Sequence, residues 1–187
     1  AQEQTKIDRK IEKIEELMEF GNFSKAQKEN NKLQKKIEKS SSNSKKKHYA
    51  FNLLRQAQIE AATGGEYPLF SQKIDSALTI LQKENNNYYL QGIIKAVQID
   101  FKSNQFKNAG ILLDTAQTIL DKKANTVIQS RVDFLKTKYF LYIGEYPKAL
   151  KLSQSNYDYF SKQVADKAKI LQTNTLNMQA QILFEQG

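Results

Sequence analysis

The sequence predicts an all-α solenoid built from antiparallel helix hairpins. Three observations lead to this prediction: apolar residues recur at helical spacing, no stretch alternates as a strand would, and one turn pattern recurs about every 40 residues. The 187 residues include only two prolines, Pro68 and Pro147, and each follows a Gly-Glu-Tyr triplet. A proline fits the first turn of a helix, where its missing N–H costs no hydrogen bond.

The helical periodicity starts close to the beginning of the chain. Ile7, Ile11 and Ile14 fall on one face of a first helix, and apolar residues around Leu112 and Leu113 repeat the pattern. The spacing predicts paired helices and one last helix over residues 4–20 with 23–40, 46–63 with 67–84, 87–103 with 105–122, 126–143 with 146–160, and 163–186. We therefore expect one repeat domain over 1–187, a fragment of a longer protein, with units 4–40, 46–84, 87–122 and 126–160 and a half-unit at 163–187.

The repeated turn pattern sets the boundaries within each pair. It occurs as Gly21-Asn22-Phe23-Ser24-Lys25-Ala26, Gly65-Glu66-Tyr67-Pro68-Leu69-Phe70, Asn104-Gln105-Phe106-Lys107-Asn108-Ala109 and Gly144-Glu145-Tyr146-Pro147-Lys148-Ala149. Glycine or asparagine tolerates the left-handed conformation that ends a helix. The aromatic residue is expected to fill the wedge between the paired helices, and the alanine to let their backbones approach closely. Such a unit cannot bury its apolar face alone, so neighbouring units must stack.

These G-x-[FY]-x-x-A turns resemble those of the tetratricopeptide repeat (TPR) family, over essentially the whole chain. The spacing exceeds the usual 34 residues of that family, as in the longer repeats of bacterial sensor and regulator proteins. The resemblance implies a right-handed superhelix whose concave groove is lined by the first helix of each pair. The consensus tryptophan and the proline after the second helix are missing here.

The resemblance also implies which residues line the groove. In the family these lie thirteen, ten and six residues before the turn glycine, with further positions two before it. Counting from the turns above gives Asn52, Arg55, Ile59, Gln91, Ile94, Gln98, Lys102, Arg131, Phe134, Lys138, Tyr142, Asn174, Asn177 and Gln181. Amides and cations dominate this set, and such groups bind a peptide backbone and carboxylates. We therefore expect an acidic protein or an extended acidic peptide as partner. The alternative is that these residues form an ordinary polar helix face.

The composition argues against catalysis and against a metal or cofactor site. The chain has no cysteine, which excludes disulfides and thiolate ligands, and its one histidine, His48, excludes a multi-histidine metal site. We expect His48 at the surface, because no carboxylate, serine or metal partner is identifiable for it. No apolar run approaches the length of a membrane span. We expect neither a cofactor nor enzymatic activity.

Positive charge is concentrated in residues 21–47, which contain nine lysines and two glutamates. One interpretation is an anionic partner, either a nucleic acid, an acidic protein or a lipid surface. The other is a solvated outer helix. Arginine, which readers of bases and phosphates favour, occurs only at Arg9, Arg55 and Arg131, so nucleic-acid binding is the less favoured option.

Together these features predict a non-catalytic scaffold that binds protein or peptide in its groove. The alternative is a sensory or dimerising segment of a bacterial regulator, such as a sensor kinase or transcriptional regulator, with its output domain beyond residue 187. A further alternative is an enzyme whose catalytic domain lies outside the chain. Leu176, Leu183 and Phe184 give the last helix an apolar face, and we expect either self-association through this helix or cover by later residues of the natural protein. A first residue Ala1 rather than Met slightly favours an exported or periplasmic location over a cytoplasmic one.

Overall fold

The computed structural model describes residues 2–122, 126–162 and 166–185. The helices in these ranges are α1 (Gln2–Glu19), α2 (Phe23–Glu38), α3 (Lys45–Ala62), α4 (Tyr67–Glu84), α5 (Asn86–Lys102), α6 (Phe106–Lys122), α7 (Thr126–Tyr142), α8 (Tyr146–Ser161) and α9 (Asp166–Glu185). No strand occurs in this part of the chain. The predicted all-α helical repeat fold is therefore confirmed, and no expected helix end differs from the observed one by more than about three residues.

The helices form two compact units, Ala1–Ser103 and Asn104–Gly187. In the first unit α1 packs against α2, and the same consecutive packing continues to the contact between α4 and α5. The helix α3 also contacts α5. In the second unit α6 to α9 pack in the same consecutive order, and α7 also contacts α9. Within each unit a helix thus meets its immediate neighbour, and α3 and α7 also meet the first helix of the following pair.

Apolar side chains at helical spacing form the core of each hairpin. Ile7 and Ile14 of α1 are buried against Ala26, Leu33 and Ile37 of α2. The short side chain that the turn pattern places on each second helix is completely buried in three copies, at Ala26, Ala109 and Ala149. In the fourth copy Phe70 takes this position and is also buried.

A left-handed residue ends the first helix of each hairpin. Its φ angle is +71° at Gly21, +80° at Gly64, +58° at Asn104 and +76° at Gly144. The next N–H then donates five residues back to the helix, from Asn22 to Leu17 (2.8 Å), from Gly65 to Glu60 (2.8 Å) and from Glu145 to Phe140 (2.9 Å). This bond satisfies a carbonyl that the end of the helix would leave unpaired.

The second turn corrects the expected alignment by one residue. We expected Gly65 to be the left-handed residue, but the structure gives that role to Gly64, and Gly65 takes the place of Asn22 and Glu145. The loop before α4 is therefore one residue longer than the others. The sequence pattern hides this shift because Gly64 and Gly65 are adjacent and identical.

His48 contradicts the expectation of a surface histidine. It is buried on α3, on the same face as Asn52 and Arg55, which lie four and seven residues later and are buried as well. Burial lowers the pKa of His48, Lys47 lowers it further, and Asp8 raises it. The expectation was wrong because the polar residues of α3 give no indication in the sequence that this face of the helix is buried by its neighbours.

A buried carboxyl group lies where α4 begins. Asp100 of α5 is almost completely buried and accepts a hydrogen bond from Tyr67 Oη at 3.1 Å. Burial raises the pKa of Asp100 to about 6, against the opposing effect of the Tyr67 hydrogen bond, and nearby Asp75 adds to the increase. The folded chain therefore binds this proton more tightly than the unfolded chain does.

Ala149→Leu should destabilise the chain by about 1–3 kcal/mol, because no space exists for a larger side chain at this completely buried contact. Ala180→Leu is the matched control, since Ala180 is exposed on α9 and should change stability by less than about 0.5 kcal/mol. Urea unfolding of the three proteins measures both effects. Equal unfolding midpoints would show that Ala149 is not at a tight helix contact.

Asp100→Asn should make stability less dependent on pH. The asparagine keeps an acceptor for Tyr67 but has no charge to bury, so the variant should be more stable than the wild type above about pH 7, by about 2–3 kcal/mol. In the wild type, the stabilisation that comes from the protonated Asp100 carboxyl is fully present below its pKa in the unfolded chain, near 4. It is lost as the pH rises through the pKa of about 6 in the folded chain. Urea titrations from about pH 4 to about pH 8 measure the difference. A difference that stays constant with pH would contradict the raised pKa.

Candidate functional site

A polar cleft of about 190 Å³ opens in the first unit, between the first helices α1, α3 and α5. Its lining combines two carboxylates, two lysines, two amides and two apolar side chains. These residues are Glu15, Met18 and Glu19 of α1, Phe23 of α2, Gln58 of α3, and Lys95, Gln98 and Lys102 of α5. Three first helices therefore line one concavity.

Two cations from different helices hold the Glu15 carboxylate. Its Oε1 lies 3.3 Å from Lys95 Nζ and 3.7 Å from Arg55 Nε. Glu15 is half-exposed, whereas the Arg55 side chain is 4% exposed. Burial lowers the pKa of Arg55, and the Glu15 carboxylate opposes that effect. Glu15 thus supplies the counter-charge for a buried guanidinium and also forms part of the cleft wall.

Behind this pair lies a set of buried polar groups. Asn52 Nδ2 donates to Gln34 Oε1 at 2.6 Å, across the contact between α3 and α2. The Nε and Nη1 of Arg55, the Oδ1 of Asn52 and both amide atoms of Asn30 have no hydrogen-bond partner among the described residues. Burying such groups without partners costs free energy, so this part of the fold is less stable than an apolar core would be.

The groove residues expected in the first unit divide into two groups. Gln98 and Lys102 line the cleft and are exposed, and Gln91 is exposed elsewhere on α5. Asn52, Arg55, Ile59 and Ile94 are buried, so none of these four side chains is presented on an open surface.

Counting from Gly64 instead of Gly65 explains part of the mismatch between the expected groove residues and those that line the cleft. Six residues before each left-handed residue lie Glu15, Gln58 and Gln98, and all three line the cleft. Counting from Gly65 selected Ile59, the buried neighbour of Gln58. Nine residues before Gly64 and Asn104 lie Arg55 and Lys95, the two cations that hold Glu15. The groove residues expected from the sequence do not include Glu15, Gln58 or Lys95, which line the cleft. The Gly64 register indicates Gln58, whereas Glu15 and Lys95 are counted from Gly21 and Asn104, whose register is unchanged.

In the second unit the expected residues lie on α7 and α9. On α7, Arg131 is exposed, Phe134 and Lys138 are half-buried, and burial lowers the pKa of Lys138. The Lys138 Nζ lies 5.7 Å from the centre of the Tyr142 ring, and that ring packs 4.5 Å from the ring of Phe106. The α9 residues Asn174, Asn177 and Gln181 are exposed.

A separate hydrogen-bond network links α6 and α7 in the second unit. Gln129 Nε2 donates to Gln117 Oε1 at 3.2 Å and to Asp133 Oδ1 at 2.8 Å, and Lys136 Nζ donates to Gln117 Oε1 at 3.1 Å. Burial raises the pKa of Asp133, while Gln129 and Lys136 lower it. These polar groups bind one another, so they are engaged in joining the two helices.

The last described helix has a large exposed apolar surface. Phe184 is 84% exposed, and Ile170, Leu176 and Leu183 are also exposed on α9. Leu183 lines a shallow depression of about 790 Å³ between α8 and α9, together with Pro147 and Leu150. Among the described residues, no group of three or more histidine, aspartate or glutamate side chains is placed to hold a metal ion. None of the described helices has the length and apolar character needed to cross a membrane.

Compared with known proteins, the chain matches no family model, no curated protein and no solved structure. The cleft and the surface residues described above are therefore the features that bear on its function.

Proposed function

We propose that this chain is a non-catalytic binding module of the tetratricopeptide type, and that the cleft of its first unit binds an extended segment of a partner polypeptide. The observation that carries the proposal is that one structural position, six residues before the left-handed residue, reaches the same cleft from α1, α3 and α5. A segment lying across the three helices would meet one such side chain from each.

The chemistry of the lining indicates how the segment would be held. The side-chain amides of Gln58 and Gln98 form no hydrogen bond with the described residues, so they can pair with a peptide backbone. Lys102 is exposed and can pair with an acidic side chain of the partner. Glu15 and Glu19 lie in the same cleft and would repel a run of acids. The proposed partner segment therefore carries an isolated acidic residue among neutral ones.

Selection from a displayed peptide library would test this proposal. Peptides enriched on the wild-type chain should contain one acidic residue, and their affinity should fall about tenfold or more in a Gln58→Ala/Gln98→Ala variant, since two hydrogen bonds are lost. Fluorescence anisotropy with the enriched peptides measures the affinities.

Gln72→Ala/Gln82→Ala is the matched control for that experiment, because it removes two exposed amides from α4, outside the cleft. Its affinity should equal that of the wild type. If the enriched peptides bind both double variants equally well, they do not bind in the cleft, and the assignment fails. If no peptide is enriched, the proposal of a peptide-binding module is abandoned.

The exposed apolar residues of α9 favour a second candidate function. We propose as the alternative that the chain is a dimerising segment of a larger regulator and associates through this helix. Leu176, Leu183 and Phe184 are large apolar side chains exposed to solvent, and an exposed apolar patch is typical of an interaction site.

Leu183→Glu/Phe184→Glu should abolish any concentration-dependent self-association, because it buries two charges in the proposed interface. Sedimentation equilibrium over a wide range of chain concentrations measures the association. The matched control is Ile111→Glu, which places a charge at another exposed apolar position, on α6. A wild-type chain that stays monomeric throughout, or a double variant that associates as strongly, would rule out this interface.

A further inference from the structure

The outer face of α2 carries a straight row of lysines. The row consists of Lys25, Lys28, Lys32, Lys35, Lys36 and Lys39, which follow one another at steps of three or four residues except for the adjacent Lys35 and Lys36. At 100° per residue these positions fall on one side of the helix. The buried residues of the same helix, Ala26, Asn30, Leu33 and Ile37, occupy the opposite side. All the lysines in the row are exposed except Lys36, which is half-buried.

The positive charge of this row is largely uncompensated. Glu29 binds Lys32 at 2.7 Å and lies 3.8 Å from Lys10, so it neutralises one lysine of the row. Glu38, the other acid of α2, accepts a hydrogen bond from Gln34. In the described part of the chain no ion pair forms with Lys25, Lys28, Lys35 or Lys39. Like charges three and four residues apart repel, so the row destabilises the helix that carries it.

The residue types in the row restrict the partner that it fits. Lysine is a point charge without the planar fork with which arginine grips a single phosphate or carboxylate. The apolar residues of this segment are on the buried side of α2, so the lysine face has no aromatic or aliphatic side chain to stack on a base or to insert into an apolar groove. Contact through charge alone suits a partner with many anions that can adjust their positions.

The shape of the row distinguishes between two such partners. Fourteen residues of helix span about 21 Å in a straight line. A flat anionic surface meets every lysine along that line at once. The phosphates of a nucleic-acid duplex wind around a cylinder, so a straight row meets them only where a strand crosses it.

We propose that the α2 lysine row binds the surface of a membrane that contains anionic lipids, independently of the peptide cleft. The charges attract acidic headgroups, and mobile lipids gather under fixed lysines without any insertion into the bilayer. The partner is a lipid bilayer, with the α2 axis parallel to its plane.

Vesicle cosedimentation with the full chain tests the proposal. The probes are phosphatidylcholine vesicles with and without about 30% phosphatidylglycerol, at about 0.05 M and about 0.5 M NaCl. The variant Lys28→Gln/Lys35→Gln/Lys39→Gln removes three charges from the row. The control Lys83→Gln/Lys107→Gln/Lys122→Gln removes three exposed charges from α4 and α6. Both variants have the same net charge, and circular dichroism and thermal melts of both check folding.

The wild type should bind the anionic vesicles at low salt, release them at high salt and ignore the neutral vesicles. Each lysine contributes about fivefold in affinity, so the row variant should bind about a hundredfold more weakly, and the control should lose less than about threefold. The proposal is overturned if the wild type does not bind, if it binds neutral vesicles equally, or if both variants weaken alike. Tighter binding to a duplex DNA of about 20 base pairs, at equal phosphate concentration, would also overturn it.

Discussion

The fold depends on one backbone constraint, the left-handed residue that ends each first helix. Gly21, Gly64 and Gly144 reverse the chain so that the following helix packs back on the preceding one, and Asn104 has the same left-handed backbone. At Gly21, Gly64 and Gly144 the hydrogen bond that closes the turn runs five residues back, so the position of every residue before the turn is fixed relative to it. That is why counting from this residue, rather than from the nearest glycine, finds the cleft. Helix packing then follows from the turn, because a buried short side chain such as Ala26 or Ala149 lets the second helix approach the first.

The cleft and the buried polar groups of the first unit depend on each other. Arg55 is withdrawn from solvent, its Nε and Nη1 have no hydrogen-bond partner among the described residues, and its ion-pair partner is Glu15, which is itself part of the cleft wall. A ligand that displaces Glu15 from Arg55 would leave the buried guanidinium without its counter-charge, which costs free energy. A ligand that leaves Glu15 in place can use only the remaining groups, above all Gln58, Gln98 and Lys102. Binding that leaves Glu15 in place keeps its ion pair with Arg55. For that reason the proposed contacts are the two amides and Lys102.

The sequence predicted the helices well because each is defined by local patterns: apolar spacing, a turn glycine or asparagine, and a polar joint. Asn85, for example, caps α5 by accepting a hydrogen bond from the N–H of Asn87 at 2.7 Å. The site was harder to predict, since exposure depends on which helices pack together. Asn52, Arg55 and His48 are polar letters on a face that neighbouring helices cover, and nothing local distinguishes them from solvated residues. Gly64 and Gly65 show the other limit: two identical neighbours leave the register undetermined by one residue, and one residue on a helix is 100° of rotation.

Repetition of a fixed geometry with different side chains explains how such a chain could acquire specificity. The position six residues before the left-handed residue is Glu15 in the first hairpin, Gln58 in the second, Gln98 in the third and Lys138 in the fourth. These four residues lie at the same backbone position relative to the turn. A substitution there therefore alters the side chain offered to a ligand without disturbing the turn. Lys138 differs further, because burial lowers its pKa and its ammonium group lies near the Tyr142 ring. The acid, the two amides and the half-buried lysine therefore form a series in which the side-chain chemistry changes from one hairpin to the next while the backbone that presents it stays the same.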